Sequence, residues 1–387
     1  MTLCNPILGA ICAAILPATV LAQGPEDAPA PPPAEIAPIA FLYDVTSGQV
    51  LFEREADRRF MPASITKVMT TFLAFEWMEA GKILPNQTFT LRTDLWKKWN
   101  NVGSTMFLAN NAQVTVDDLV HGVTTVSAND GAAALADGAA GSVEEWVAAM
   151  NGKAREIGMK DSRFGTPNGW MDDGRTFTTA RDLTTLAEAM LKRHPAKYRH
   201  YVGHREFTYD GITQFNHDPI SGVVDGADGI KTGFTNQAGY GFLGSAQRNG
   251  RRLVMVVAAS PRAGDRNTAA RDLIEWGFSA FDQRRIFGPD TPVAMAEVQG
   301  GAKRQLALVA PAGVYVDFPK GAPGETTLSV SYDGPLRAPV AKGEKVAELR
   351  VVVDGAAPYS LPLFAGEEVK EAGSGQRILN GLLGWIS

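Results

Sequence analysis

The sequence predicts an α+β fold: an antiparallel sheet covered by helices, followed by a smaller all-β, sandwich-like domain. Three observations predict it. Apolar, β-prone runs within residues 39–52 and 227–258 bracket a long stretch of helical patterning. The order of strands, helices, strands and a final helix suits a sheet in which the N- and C-terminal strands meet. After about residue 285, short strands separated by Gly and Pro turns take over. With 387 residues, 45% hydrophobic, the chain is long enough for one large domain and a small one. The formal net charge of -5 and the lack of any long basic cluster argue against a nucleic-acid partner.

Residues 1–22 end in Ala18-Thr19-Val20-Leu21-Ala22, and Val20-x-Ala22 suits signal-peptide cleavage. The expected positive n-region is missing, since the first basic side chain is Arg54. An uncleaved anchor is the other reading, but Pro6 and Pro17 interrupt the apolar run. Both cysteines, Cys4 and Cys12, lie in this leader, so the expected mature chain has no disulfides, thiolate metal sites or lipoprotein anchor. Residues 23–35 read as a Pro-rich linker. Ile39 to Asp44 and Gln49 to Phe52, joined by Thr46-Ser47-Gly48, read as a hairpin.

Next comes Pro62-Ala63-Ser64-Ile65-Thr66-Lys67 and an apolar run to Met78, the pattern of a buried helix opened by proline. Ser64 and Lys67 then share one face, one turn apart. A lysine against an apolar core can lose its proton and serve as a base for the hydroxyl. Taken alone, a Ser at a helix start is usually just an N-cap, and Ser-x-x-Lys occurs often by chance. Further helices are expected at 116–123, 131–136, 143–157 and 179–193, with Ser127-Ala128-Asn129-Asp130 as a polar link. Strands are expected at 227–234, 240–246 and 252–258, the last two joined through Asn249-Gly250, and a helix at 268–278. The tail 373–387 is amphipathic, with apolar side chains on one helical face, and could lie in a membrane interface or pack on the β domain.

Three polar clusters therefore occur in order: Ser64-x-x-Lys67, Ser127-Ala128-Asn129 and Lys231-Thr232-Gly233. Each has a bland reading alone, the second as turn chemistry and the third as an edge strand guarded by a lysine. Together, the chain resembles the penicillin-recognising serine enzymes, and within them the low-molecular-mass D-alanyl-D-alanine carboxypeptidases. Thr179-Ala180-Arg181-Asp182-Leu183, Ala238-Gly239-Tyr240 and Trp276-Gly277-Phe278 also fit that family, over residues 36 to 280 or so. The resemblance implies a serine transpeptidase/β-lactamase-like domain over residues 36–284 and a C-terminal β domain over 285–372.

It also implies roles. Ser64 would attack the carbonyl between two D-alanines of a peptidoglycan stem peptide, with Lys67 taking its proton. Ser127 and Lys231 would relay a proton to the departing D-alanine. Asn129 would hold the substrate amide and Thr232 its terminal carboxylate. Gly233 would let the substrate backbone come close, and the N–H groups of Ser64 and Phe234 would form the oxyanion hole. β-Lactams would acylate Ser64, no metal or cofactor would be needed, and the setting would be the bacterial periplasm, with a role in cell-wall biogenesis and shape. Two departures stand out. Phe234 sits where relatives often carry His, and Asn216-His217-Asp218 replaces an Asn-Arg-Asn segment, leaving Arg266 as a candidate second carboxylate contact or a surface arginine. A β-lactamase-like hydrolase would want a Glu between the second and third motifs, and residues 160–178 contain none. A DD-endopeptidase or a penicillin sensor on the same fold are the other readings.

Overall fold

The computed structural model of the chain describes residues 30–321, 324–354 and 356–373. The expected leader and the amphipathic tail lie outside them. β1 (Ile39–Asp44) and β2 (Gln49–Arg54) form the expected hairpin. A 3-10 turn, Ala63–Thr66, then leads into α1 (Lys67–Glu79), which is buried from Lys67 to Phe75. The helix thus begins three residues after Ser64, not at it, and no side chain caps either element. β3 (Thr88–Thr90) and β4 (Gln113–Thr115) pair across α2 (Thr93–Trp99).

α3 (Val116–Thr125) and α4 (Asn129–Ala140) flank the polar link. α5 (Val143–Glu156) and α6 (Ala180–Arg193) follow, capped by Ser142 and Thr179, whose side chains accept from Glu145 N–H and Asp182 N–H. α7 (Pro195–Tyr201) precedes a small hairpin of β5 (Glu206–Tyr209) and β6 (Ile212–Phe215). β7 (Ala227–Thr235), β8 (Gly239–Arg248) and β9 (Arg251–Ser260) complete the main sheet. Asn249 and Gly250, both with positive φ, make the tight β8–β9 turn. α8 (Ala263–Ser279) starts five residues earlier than the sequence pattern suggests.

The main sheet runs β2-β1-β9-β8-β7 and is antiparallel throughout, so the first and last segments of the domain do meet. Both faces are covered. Ile39, Phe41, Val254 and Val256 point toward the helices that include α1, and Ala40, Leu42, Met255 and Val257 toward α8. Burial on both faces is why these strands read as continuous apolar runs. β7 is left at the edge, beside the Ser64 turn.

The smaller domain holds β10 (Phe281–Phe287), β11 (Pro292–Gln299), β12 (Gln305–Val309), β13 (Val314–Pro319), β14 (Thr326–Ser331), β15 (Leu336–Arg337), β16 (Lys345–Val353) and β17 (Tyr359–Ala365). A six-stranded sheet, β14-β16-β17-β12-β11-β15, accompanies the β10–β13 pair. The boundary expected near 285 falls inside β10, which begins directly after α8. β10 exposes charged residues such as Arg284 and Arg285 and lacks the strict alternation of the later strands, so its pattern hid it. A buried cluster pins the two domains together. Arg251 Nε lies 2.6 Å from Asp44 and Nη2 lies 3.0 Å from Asp317, both carboxylates fully buried. Gln283 donates to both at 3.1 Å.

Candidate active site

The Ser64 turn is clamped from two sides. Ala63 sits in left-handed backbone, φ 49°, which a non-glycine residue holds only under external constraint. A Cβ on Gly169 would lie 1.8 Å from the Ala63 carbonyl oxygen, and one on Gly233 would lie 2.4 Å from that of Pro62. Only glycine lets the 165–172 loop and strand β7 close on the turn. The missing side chain of Gly233 thus makes room for the protein's own serine turn, a constraint that sequence reading did not assign to it.

Lys67 is the hub. Its Nζ donates to Ser64 Oγ at 2.9 Å, Asn129 Oδ1 at 2.8 Å and the Asn168 carbonyl at 2.8 Å. It is buried, and burial pushes its pKa well below that of an ordinary lysine, with nearby Lys231 adding to the effect and Asp130 opposing it. The serine and lysine thus meet as their spacing predicts, and the amine is shifted toward the neutral form a base requires.

Ser127 is buried between α3 and α4 with φ 64° and faces the same cavity as Ser64. Asn129 is engaged at both ends, its Oδ1 by Lys67 and its Nδ2 by the Val102 carbonyl at 2.9 Å. It therefore positions the lysine, a task that sequence reading did not assign to it. Asp130 accepts the N–H groups of Met106, Leu108 and Gly131, tying the 103–108 segment to the start of α4.

Lys231 is 5% exposed, so it is no solvent-facing guard on the edge strand. Burial first, and then Arg266, lower its pKa to about 7. Its Nζ donates to the Thr232 carbonyl at 3.1 Å, and it lines a small cavity shared with Lys67. Arg266 is also buried, 7% exposed, on the first turn of α8, where its Nη1 donates to the Gly241 carbonyl at 3.3 Å. The surface-arginine alternative is thereby excluded. His217 feels burial and the charges of Lys231 and Arg266, all of which lower its pKa and favour the neutral ring.

A cavity of about 740 Å³ opens over part of this set. Ser64, Ser127, Asn129, Thr232, Gly233, Phe234 and Arg266 all line it. Sequence reasoning missed Asn168, whose carbonyl meets Lys67, and Trp170 and Met171, which also line the cavity. The Asn168-Gly169 dipeptide is a turn signal that marks the loop, but nothing local says its carbonyl aims at Lys67.

A three-layer domain with a serine–lysine pair at the mouth of its central helix is the architecture of the penicillin-recognising serine enzymes. Residues 26–261 match the family described as D-alanyl-D-alanine carboxypeptidase, and residues 281–371 the penicillin-binding protein 5 C-terminal domain. The chain belongs to the D-alanyl-D-alanine carboxypeptidase family. It is 32% identical over 345 residues to D-alanyl-D-alanine carboxypeptidase DacA of Haemophilus influenzae, covering 88% of this chain and 87% of that one. The crystal structure of penicillin binding protein 5 from Haemophilus influenzae superposes with a TM-score of 0.76 at 32% identity, over 88% of this chain and 99% of that one. Penicillin-binding protein D2 from Listeria monocytogenes, in its ampicillin-bound form, superposes with a TM-score of 0.55 at 30% identity, over 62% and 97%.

Proposed function

We propose that this chain is a serine-type D-Ala-D-Ala carboxypeptidase that works through an acyl-enzyme on Ser64. The observation that carries the reading is the Lys67–Ser64 hydrogen bond, made by a lysine that burial has moved toward neutrality. Lys67 takes the Ser64 proton as Oγ attacks the carbonyl between the two D-alanines. The backbone N–H groups of Ser64 and Phe234 receive the developing oxyanion, each worth roughly 3 kcal/mol in such sites. Ser127 and Lys231 carry the proton to the leaving amine, and Thr232 and Arg266 hold its carboxylate. Asn129 holds Lys67 and shares its amide with the ligand. Water then releases the shortened peptide.

β-Lactams, which mimic the D-Ala-D-Ala end, acylate the same serine. A peptidoglycan substrate suits a periplasmic setting, with residues 1–22 as an export signal, a role in cell-wall biogenesis and shape, and residues 373–387 as a tail for the membrane interface. Liposome co-sedimentation with and without residues 374–387 tests that last part. For the activity, purified protein is incubated with a fluorescent penicillin and separately with a D-Ala-D-Ala pentapeptide. Labelling and free D-alanine are expected. Labelling without release of D-alanine favours a sensor, and no labelling overturns the reading.

A further inference from the structure

We propose that Thr70 is a positioning residue for the acylation step: its hydroxyl fixes the Pro167–Asn168 segment so that the Asn168 carbonyl occupies one N–H of Lys67 and leaves the amine's lone pair aimed at Ser64. The proposal rests on the acyl-enzyme reading above and adds to it a residue that touches neither ligand nor reacting atoms. Thr70 lies three residues after Lys67 on α1, so the two side chains share one face, one turn apart. They end on consecutive main-chain carbonyls of the 165–172 loop. Thr70 Oγ1 donates to the Pro167 carbonyl at 2.6 Å, and Lys67 Nζ donates to the Asn168 carbonyl at 2.8 Å. Thr70 is fully buried. The other acceptor in its reach, Met150 Sδ at 3.6 Å, is a weak one.

Counting donors shows why the carbonyl matters. A neutral amine has two N–H groups and one lone pair. Asn129 Oδ1 and the Asn168 carbonyl, each 2.8 Å from Nζ, can only accept. They take the two N–H groups, which leaves the lone pair for the Ser64 hydroxyl at 2.9 Å. Asn129 is held in turn through its Nδ2 by the Val102 carbonyl. The Asn168 carbonyl sits on a loop and depends on what holds that loop. Asn151 grips its start, pairing with the Phe164 N–H and carbonyl at 2.9 and 2.7 Å. Asp172 and Thr176 close its end, the Thr176 Oγ1 and N–H donating to the carboxylate at 2.6 and 3.0 Å. Between these anchors the chain turns on itself, with Gly169 N–H donating to Thr166 Oγ1 and Trp170 N–H to Asn168 Oδ1, both at 3.0 Å. Those bonds shape the turn, and Thr70 ties it to the helix that carries Lys67.

Thr70→Val keeps the side-chain shape, removes the donor and leaves the Pro167 carbonyl unpaired in the core. The loop is then free to draw back from α1, and the Lys67 amine to turn its lone pair away from Ser64. Misplacement of this kind costs rate and not binding. A carbonyl that accepts from Lys67 also favours its charged form, so weakening that bond moves the acidic limb of acylation to lower pH.

Stopped-flow acylation by a fluorescent penicillin, over a concentration series, separates the maximal rate from the half-saturating concentration. It is run from pH 5 to 9 on full-length wild type, Thr70→Val, Thr70→Ser and Thr184→Val. Thr184 is a buried control on α6 whose hydroxyl serves its own helix, donating to the Ala180 carbonyl at 3.1 Å. Thr70→Val should lose about 10- to 50-fold in maximal rate, with half-saturation changed no more than about 2-fold and the acidic limb at lower pH. Thr70→Ser, which keeps the donor, should return to within about 3-fold of wild type, and Thr184→Val should match wild type. If Thr70→Val does not fold, Thr70→Cys, with its weak S–H donor, takes its place with an expected loss of about 3- to 10-fold. An unchanged rate in the Val or Cys variant overturns the proposal. So does a loss confined to half-saturation, a slower rate with an unshifted pH profile, or an equal loss in Thr70→Ser or Thr184→Val. A wild-type protein that takes no label overturns the acyl-enzyme reading, and this proposal with it.

Discussion

Replacing Lys231 by Met should make the protein more stable while disabling it. Lys231 is held in a buried position beside another lysine and Arg266, and its pKa falls from 10.5 to about 7. That difference corresponds to roughly 5 kcal/mol of unfavourable burial of the charged form. Below pH 7 the lysine is charged in both the folded and the unfolded chain, and the folded state carries the whole penalty. Between about pH 7 and 10.5 only the unfolded chain keeps the proton, so stability rises with pH. Above that interval the penalty is gone. Met fills similar space without charge, so at pH 6 Lys231→Met should gain about 2–5 kcal/mol. For a domain of this size that is about 5–15 °C in Tm. The gap should shrink to about 1 kcal/mol or less by pH 10. Thermal unfolding of both proteins at pH 6, 8 and 10 measures it. Acylation by penicillin should fall at least about 100-fold, a typical cost of removing a group from such a proton-transfer set. A variant no more stable than wild type at pH 6, or a gap independent of pH, would refute the reasoning.

Gly233→Ala places a methyl 2.4 Å from the Pro62 carbonyl oxygen and 3.0 Å from Ile65 Cγ1. It should push β7 off the serine turn and slow acylation about 100-fold, as small misplacements do, with only a modest loss in Tm. Stopped-flow labelling and calorimetry separate the two. Asp130→Asn leaves one of three buried N–H groups unpaired and should lower stability by about 1–3 kcal/mol. It also removes a charge that raises the Lys67 pKa, so the acidic limb of the acylation profile should move to lower pH. At the domain junction, burial and the neighbouring Asp44 push Asp317 up to about 7. Its contribution is present below its ordinary range near 4 and lost as pH rises through 7. The stability advantage of wild type over Asp317→Asn should therefore shrink between pH 5 and 8, as read by urea unfolding.

Local chemistry made much of the fold legible. Thr46-Ser47-Gly48 and Asn249-Gly250 announced their hairpins, and Ser64 and Lys67 meet because helical spacing brings them together. What the chain hid depends on contacts between distant segments. Arg266 stays open between a carboxylate contact and a surface arginine until α8 is packed on the sheet and buries it. Asn168 offers Lys67 a backbone oxygen, which no side-chain pattern reveals. The contact of Gly233 with the Pro62 turn, about 170 residues upstream, is invisible to strand periodicity. Asn129 read as a substrate contact, and its grip on Lys67 shows only when α1 and α4 stand side by side.

The central claim is that Ser64, activated by Lys67, becomes acylated. Mass spectrometry of the protein trapped with benzylpenicillin, followed by peptide mapping, tests it most directly. The account predicts one stoichiometric adduct on the peptide containing Ser64, absent in Ser64→Ala and formed at least about 100-fold more slowly in Lys67→Met. An adduct on Ser127, or one that survives Ser64→Ala, would contradict it.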